Sequence, residues 1–466
     1  MRCLVILFLL NSYFTLAQNN KENILGMNTN TVFIFFDIND TTFLNRVKKI
    51  NPKVLRFPGG YGNFYHIEGS GYGFKLNEAD RSNNGNLPKR IRGLNRIISQ
   101  QKVTGNYIDE FIQLTQELNA KVIIDANIIT APSTETIQII QKLKENNINI
   151  LGIELGNELY NTSFSNIIEG EKYVKIAKQF SEDIKSKFPN LKIGVIAAPL
   201  NRKLRRHSIW NDLLIKEDFY DAIIIHSYAK VIKGIDEAGQ MIKEVSESVD
   251  KKRTFEIYRD RILKFLKISY GNEIAAYNSL FNNKPIWLTE WNLQMSRTTG
   301  NTMFQSLFVS SFLLELASNK QLKNINLSIY HNLAGRDVSG SIFMMDNKKM
   351  ITHSTYFPFT IVNSFFENEG SNISRKMINQ YCFEYTAALS QDDNKSYIWL
   401  NWSENSISIS KDSICKEIEL IEFFGSSLFQ DNNTRKLKYK TSKIDNNDEV
   451  ILRPFSITLC KCNYIL

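Results

Sequence analysis

The chain has 466 residues, of which 43% are hydrophobic and 23% are charged. These proportions are typical of a folded globular protein and exclude wholesale disorder. The length exceeds that of one ordinary domain and favours a large domain followed by a smaller one. The net charge of +9 comes from Lys and Arg scattered along the chain, without a basic block interleaved with aromatic residues, so no nucleic-acid partner is expected.

The N-terminus has the parts of a secretory signal peptide. Arg2 supplies a positive charge, residues 3–10 are uniformly apolar, and Thr15 and Ala17 are small residues at the positions that a signal peptidase reads. The apolar run is too short to remain across a bilayer, and no later run reaches ~18 apolar residues. We therefore expect residues 1–17 to be a cleaved signal, with no transmembrane segment, and the protein to be secreted or periplasmic. A buried strand of the mature fold is the alternative for this segment.

Short β-branched apolar runs then alternate with longer amphipathic stretches, which is typical of βα units around a parallel sheet. Eight runs are predicted strands: Leu25–Phe36, Val54–Phe57, Lys121–Ile128, Ile148–Gly156, Lys192–Ala198, Tyr220–Tyr228, Pro285–Trp291 and Asn324–His331. Apolar residues recur at helical spacing in the stretches between them: Tyr107–Leu114, Tyr173–Phe188 and Met303–Ala317. Eight such units predict an α/β fold, a (β/α)8 TIM barrel over residues 18–365. An open doubly wound sheet is the alternative, but no Gly-rich phosphate turn follows the first strand.

Two long insertions and a change from helical to alternating hydrophobic periodicity complete the predicted organisation. Residues 58–103 follow the second strand and residues 232–283 follow the sixth. Loops after strands lie on the catalytic face of such barrels. The first insertion is therefore either a wall of a substrate cleft or an addition without a role in binding. From about residue 366, short alternating runs separated by Asn and Asp clusters predict a small antiparallel β-sandwich over residues 366–466. A disulfide and buried free thiols are both open for the cysteines of this region: Cys382, Cys415, Cys460 and Cys462.

Two acidic residues stand at the ends of predicted strands. Glu158 ends the fourth strand, directly after Asn157, and Glu290 ends the seventh. In a barrel these strand ends face one another across the mouth, and retaining glycoside hydrolysis needs two carboxyl groups ~5–5.5 Å apart. Either acid alone would be a cap or an ion-pair partner. Together they predict Glu158 as acid/base and Glu290 as nucleophile, with Asn157 placed to bond a sugar hydroxyl.

These motifs resemble glycoside hydrolase clan A, whose members carry an Asn-Glu acid/base on strand four and a Glu nucleophile on strand seven. Within the clan, Val54–Gly60, Ile153–Glu158 and Glu290–Asn292 are similar to family 51 arabinofuranosidases and to family 79 glucuronidases and heparanases. Arg453–Leu459 looks like the terminal strand of their C-terminal β-sandwich.

The resemblance implies further roles. Arg56 would lie beneath Glu290 and lower the pKa of that carboxyl by charge pairing. His226 and Tyr228 resemble the clan's His-x-Tyr on strand six, in which the tyrosine donates a hydrogen bond to the nucleophile. Asn127, at the end of strand three, would bind a sugar hydroxyl.

The aromatic platform for the sugar departs from the clan. Members often have a Trp on strand eight, where this chain has Tyr330, His331 and Asn332. Tyr330 is therefore the candidate at this position, although the floor of the subsite is left open. Trp291 is either a second platform or a core residue.

The sequence thus predicts a secreted retaining glycoside hydrolase that acts by double displacement on a poly- or oligosaccharide and is arabinofuranosidase- or glucuronidase-like. No cofactor is expected, and no metal, because the five histidines have no ligand spacing. The basic charge leaves an acidic glycan open as substrate. The alternatives are a β-xylosidase or agarase-like hydrolase of the same clan and a non-catalytic carbohydrate-binding protein.

Overall fold

The computed structural model describes residues 22–75, 89–336, 339–367, 373–388, 395–410, 417–444 and 449–463. The predicted signal segment, residues 1–17, lies outside these ranges. Within them, no helix is both long enough and apolar enough to cross a membrane.

Eight parallel strands close into a barrel in which each strand pairs with its neighbours in the chain and β1 pairs with β8. The strands are β1 (Gly26–Asn28), β2 (Val54–Phe57), β3 (Lys121–Ala126), β4 (Ile150–Leu155), β5 (Lys192–Ile196), β6 (Ala222–Ala229), β7 (Ile286–Leu293) and β8 (Ile325–Tyr330). Each lies within or overlaps one of the eight predicted runs, so the predicted (β/α)8 barrel is confirmed.

Helices connect the strands and cover the outside of the barrel. In the described residues they are α1 (Val32–Phe35), α2 (Thr41–Ile50), α3 (Lys89–Gln101), α4 (Ile108–Leu118), α5 (Ser133–Glu145), α6 (Gly170–Lys187), α7 (Arg205–Leu214), α8 (Lys251–Lys264), α9 (Tyr270–Leu280), α10 (Met303–Ser318) and α11 (Tyr356–Phe366). The predicted helices correspond to α4, α6 and α10. Because α10 lies between the barrel and the C-terminal sheet, it is buried on nearly all sides.

The first predicted strand, Leu25–Phe36, was wrong over most of its length. The strand ends at Asn28, and residues 32–35 form the single helical turn α1. The change of direction occurs at Asn30, whose φ of 42° is left-handed and incompatible with a continuing strand. The apolar run from Val32 onward has the composition of a strand, but it packs as a buried helical turn.

The barrel interior is filled on one side by a tryptophan. Trp287, on β7, points inward across β4 and β5, where Gly152 and Gly194 leave room for its ring. A Cβ atom at Gly152 would lie 2.3 Å from the indole, so a side chain is excluded there. This packing closes the barrel beneath the mouth, where the acidic residues lie.

The C-terminal region is antiparallel. A six-stranded sheet has the order β9-β10-β11-β16-β13-β14, and β12 pairs with β15 in a second, small sheet. The strands are β9 (Ile373–Asn379), β10 (Cys382–Ala388), β11 (Lys395–Asn401), β12 (Ile407–Ile409), β13 (Glu417–Phe424), β14 (Lys438–Ile444), β15 (Val450–Leu452) and β16 (Ser456–Asn463). One face packs on α10 and α11, where Phe357 stacks on Phe423 at 4.4 Å. The other face forms a separate core with Val450 and Leu452 of the small sheet, which confirms the β-sandwich.

The cysteines of the sandwich do not form a bridge in the described residues. Cys382 and Cys460 are both buried, and they are not bridged to each other. Burial raises the pKa of the Cys382 thiol to about 12, so it behaves as a small apolar side chain. Cys415 and the side chain of Cys462 lie outside the described residues.

Candidate active site

A single buried arginine organises the mouth of the barrel. Arg56, on β2, is fully buried and donates to Glu154 Oε2 at 2.7 Å and to Glu290 Oε1 at 2.9 Å. Its remaining nitrogen donates to Asn157 Oδ1 at 2.8 Å and lies 3.4 Å from Asp125 Oδ2. Burial opposes the charge of this guanidinium, but the three carboxylates around it raise the pKa of Arg56 above its usual value. The site therefore has a permanent cation shared by three acids.

A break in strand pairing directs two successive side chains into the barrel. The register between β7 and β6 shifts between Leu288 and Glu290, after which Glu290 pairs with His226. Thr289 and Glu290 consequently both face the interior: Thr289 Oγ1 donates to Glu154 Oε1 at 3.3 Å, and Glu290 accepts from Arg56. Such irregularities commonly re-aim side chains beside active sites.

Glu290 is held as an anion. Its Oε1 accepts from Arg56, and its Oε2 accepts from the Tyr228 hydroxyl at 2.7 Å. Burial alone would raise the pKa of Glu290, but the positive charges of His226, His331 and Arg56 outweigh burial and lower the pKa well below its usual range. An ionised, nearly buried carboxylate at the barrel mouth is the state that a nucleophile requires.

Glu158 lies at a sharp turn directly after β4. Gly156 and Glu158 both have left-handed backbone, with φ of 82° and 49°. Its Oε2 accepts from Asn161 Nδ2 at 3.0 Å, and the Arg206 guanidinium donates to the carbonyl oxygens of the two residues that follow Glu158. The turn, which is unusual for a residue with a side chain, is thus fixed from two sides.

The two glutamates face each other across a histidine. Oxygen atoms of Glu158 and Glu290 lie within 4.8 Å of each other. His226 Nδ1 lies 3.0 Å from Glu158 Oε1 and 3.7 Å from Glu290 Oε2, while its Nε2 lies 3.1 Å from Thr289 Oγ1. Burial lowers the pKa of His226, but the two carboxylates more than compensate, so the net shift is upward. Glu158 and His226 therefore form one hydrogen-bonded pair able to hold a proton.

The same three residues are also a possible cation site by geometry, since each offers one ligand atom. They come from β4, β6 and β7, so histidine spacing in the sequence could not reveal the cluster. All three already take part in hydrogen bonds: Glu158 and His226 lie 3.0 Å apart, and Glu290 accepts from Arg56 and Tyr228.

The two predicted asparagines make protein contacts. Asn157 is fully buried, accepts from Arg56 and donates to the Gly60 carbonyl at 3.2 Å. Asn127 donates to the carbonyl of Tyr65 and to Thr130 Oγ1, and so ties the loop after β3 to the first insertion. Among the described residues, neither glutamate is a hydrogen-bond partner of Asn127.

Both aromatic platform candidates are core residues, which for Trp291 is the second of the two predicted alternatives. Trp291 is fully buried, donates from Nε1 to Ser328 Oγ at 3.0 Å, and packs against α10. Tyr330 is also fully buried and packs edge-on against Trp291 and Phe359. Both side chains point from the barrel wall toward the helices, so neither has a face open to a sugar.

His331 lies at the site in their place. Its ring meets Tyr228 edge-on at 6.1 Å, and its Nε2 lies 3.4 Å from Asn30 Nδ2. In the described residues, His331 Nδ1, Asn30 Oδ1 and both side-chain polar atoms of Asn28 are buried without a hydrogen-bond partner. Buried polar atoms are costly when unpaired, so this wall is suited to a polar occupant such as a sugar hydroxyl or a water.

Sequence reasoning missed Asp125, Glu154, Thr289 and His331. The first two carried a usable signal: each is an acid inside an apolar strand, where burial requires a cationic partner, and Arg56 is a cation inside another such strand. Thr289 carried none, because its inward direction depends on the register shift.

Comparisons with known proteins support the fold only. Neither a protein-family model nor a curated protein matches the sequence. Among solved structures, a family 51 α-L-arabinofuranosidase from Bifidobacterium longum superposes with a TM-score of 0.67 at 11% identity, covering 96% of this chain and 97% of the other.

Two further structures agree in length and architecture. The α-L-arabinofuranosidase from Thermotoga maritima, solved with arabinose, gives a TM-score of 0.66 at 15% identity and covers 95% of this chain and 97% of its own. A 4-O-α-L-rhamnosyl-β-D-glucuronidase from Fusarium oxysporum 12S gives 0.58 at 13% identity, with coverage of 96% and 97%. The chain therefore shares, over nearly its whole length, the barrel-and-sandwich fold of clan A glycosidases.

Proposed function

We propose that this protein is a retaining glycoside hydrolase with Glu290 as nucleophile and Glu158 as acid/base. The observation that carries the proposal is the pair itself: oxygens of the two carboxyl groups, one just after β4 and one within β7, lie within 4.8 Å of each other. Retaining enzymes keep these groups ~5–5.5 Å apart, whereas inverting enzymes need ~6.5–9.5 Å to admit a water between them.

The first step uses the charge difference between the two glutamates. An oxygen of ionised Glu290 attacks the anomeric carbon, the bond from that carbon to the leaving oxygen breaks, and the leaving oxygen takes the proton of Glu158. Arg56 and Tyr228 keep Glu290 unprotonated, while His226 can supply a proton to Glu158 across their 3.0 Å contact.

The second step reverses these roles. Glu158, now ionised, removes a proton from a water whose oxygen attacks the anomeric carbon. The bond to Glu290 breaks, and its carboxylate leaves with the electron pair. The Tyr228 hydroxyl, 2.7 Å from Oε2, stabilises the charge that reappears there.

For the sugar that is attacked, we propose an arabinofuranoside as first candidate and a glucuronide as second. The arabinofuranosidases among the similar structures support the first, and the wall of Asn28, Asn30 and His331 suits hydroxyl groups. The rhamnosyl-glucuronidase supports the second. We further propose that residues 1–17 direct export and that the barrel and sandwich divide near residue 366.

The test begins with 4-nitrophenyl α-L-arabinofuranoside, β-D-glucuronide, β-D-xyloside and β-D-glucoside. The proposal expects turnover of at least one substrate, with a first-formed sugar of unchanged anomeric configuration by proton NMR. Glu290→Gln should lower kcat by about a thousandfold or more. Glu158→Ala should keep activity on activated leaving groups and yield a glycosyl azide of retained configuration when azide is added.

The matched control is Glu315→Gln. Glu315 is also buried and also accepts a tyrosine hydroxyl at 2.7 Å, from Tyr385, but it lies on α10 away from the mouth. Its folded fraction should retain wild-type kcat. An inverted product, or full activity in Glu290→Gln, would overturn the proposal. Binding of oligosaccharides without turnover would indicate the non-catalytic alternative.

A further inference from the structure

A cavity of about 450 Å³ opens directly beside Glu158. It is lined by the loops that follow β4, β5 and β6, including Tyr160, Arg202 and Lys230, and it is within the size range of ligand sites. Glu290 is not among its lining residues.

The position of the cavity identifies its occupant if the proposed function holds. The nucleophile must contact the anomeric carbon of one sugar, while the acid must contact the oxygen that leaves with the rest of the substrate. A space lined by Glu158 and not by Glu290 is therefore on the leaving-group side.

Two cations in the cavity have no ionic partner in the described part of the chain. No carboxylate oxygen there lies within 4.0 Å of a side-chain nitrogen of Lys230 or Arg202. Lys230 is partly buried, and its ammonium donates to the Tyr228 carbonyl at 3.1 Å, which leaves two of its three donors for a ligand. Lys233, by contrast, is already paired with Glu244 at 3.1 Å at the exposed rim.

The two acids that line the same cavity do not cancel these charges. Burial raises the pKa of Glu237 to about 7 and that of Glu273 to about 8. Both are therefore mostly protonated in mildly acidic solution, where they carry no charge and can donate a hydrogen bond to an anion.

We propose that this cavity is the leaving-group subsite for an acidic sugar, whose anionic group binds the Lys230 ammonium with Arg202 at the rim. The inference rests on the proposed function and specifies its substrate class: a glycan with a uronate or a sulfated sugar directly after the bond that is cleaved. A carboxylate and a sulfate would use the same cations, so the experiment must separate them.

The test compares aryl leaving groups on whichever sugar the 4-nitrophenyl screen identifies. A 4-carboxyphenyl glycoside is paired with its methyl ester, and a 4-sulfophenyl glycoside with its sulfonamide, at pH 6. Wild type should favour the anionic member by about tenfold in kcat/KM after correction for leaving-group pKa, as one charge-assisted contact supplies. The larger ratio of the two pairs indicates whether uronate or sulfate is preferred.

Lys230→Met should reduce the ratio to about one, and because each ratio compares two substrates of the same enzyme, a general change in kcat cancels from it. Lys284→Met is the control, because Lys284 likewise donates to a tyrosine carbonyl, that of Tyr220, and lies over its ring, but at the other end of β6. It should keep the wild-type ratio. A wild-type ratio of one or less, or a ratio unchanged in Lys230→Met, overturns the inference. If the neutral esters are nevertheless cleaved, the proposed function is unaffected. Absence of cleavage of every substrate overturns both.

Discussion

Replacing Tyr228 by phenylalanine isolates one hydrogen bond at the nucleophile. The substitution removes the hydroxyl that donates to Glu290 Oε2 at 2.7 Å and retains the ring that packs against His331. The bond is short and charge-assisted, and its acceptor side chain is only 7% exposed. A bond of this kind contributes ~1.5–3 kcal/mol, which corresponds to about ten- to 150-fold in rate.

The loss of rate should affect mainly the second chemical step, in which the glycosyl-enzyme is hydrolysed. In the first step the hydroxyl stabilises the carboxylate before attack, so its removal destabilises the ground state as well as the transition state. In the second step Glu290 departs as a carboxylate and the missing donor is needed in the transition state. With an activated aryl glycoside, Tyr228→Phe should therefore lower kcat and KM together, with a pre-steady-state burst of phenolate from the accumulated glycosyl-enzyme.

The pH profile supplies an independent readout. A hydrogen bond to the charged form lowers a carboxyl pKa, so its removal should raise the pKa of Glu290 and move the acid limb of kcat/KM to higher pH. Tyr220→Phe is the matched control, since that hydroxyl donates to the Leu214 carbonyl far from the glutamates. A Tyr228→Phe enzyme within twofold of wild type in kcat, with an unmoved acid limb, would refute the reasoning.

Three further predictions concern packing, charge and pH. Gly152→Ala should lower the free energy of unfolding by ~1–3 kcal/mol because it overpacks the barrel interior. Gly93→Ala, at a helical site with nothing near its Cβ, should raise this free energy by ~0.5–1 kcal/mol. Denaturant midpoints check both. Arg375→Met removes the partner of buried Glu315 and should cost ~2 kcal/mol at pH 8. That loss should fade toward pH 4, because burial raises the pKa of Glu315 and the acid is neutral there in both states; equal losses at both pH values would contradict this. His226→Gln should move the alkaline limb of kcat/KM to lower pH, because the raised pKa of His226 helps to retain the catalytic proton; pH-rate profiles test it, and an unmoved limb would count against the pair.

The barrel and the proximity of the two glutamates at its mouth were predictable because both are encoded locally. A buried strand is a short apolar run, and Glu158 and Glu290 each end such a run. The direction of side chains after a strand was harder to predict. Adjacent residues normally face opposite sides, as Glu290 and Trp291 do, but Thr289 and Glu290 break this alternation and both face inward.

The long-range partners were harder to predict for a different reason. Asp125 and Glu154 meet Arg56 only because β2, β3 and β4 are neighbours in the closed barrel, and their separation along the chain does not indicate this contact. Thr289 faces inward only through a register shift that depends on pairing with β6. Contacts that depend on closure and register require the three-dimensional arrangement.

Those buried partners also affect the proton held by Glu158, the proposed acid/base, and His226. Asp125, Glu154 and Glu290 bring three negative charges around the single positive charge of Arg56. The excess negative charge lies close to the pair formed by Glu158 and His226. His226 lies 3.7 Å from Glu290 and 3.9 Å from Glu154. An excess of buried anions favours retention of a proton nearby. Burial lowers the pKa of His226, but Glu290, which Arg56 holds in place, and Glu158 outweigh burial and favour a proton on this ring. The proposed acid/base can in this way receive a proton from His226 at 3.0 Å while Glu290, within 4.8 Å, is ionised.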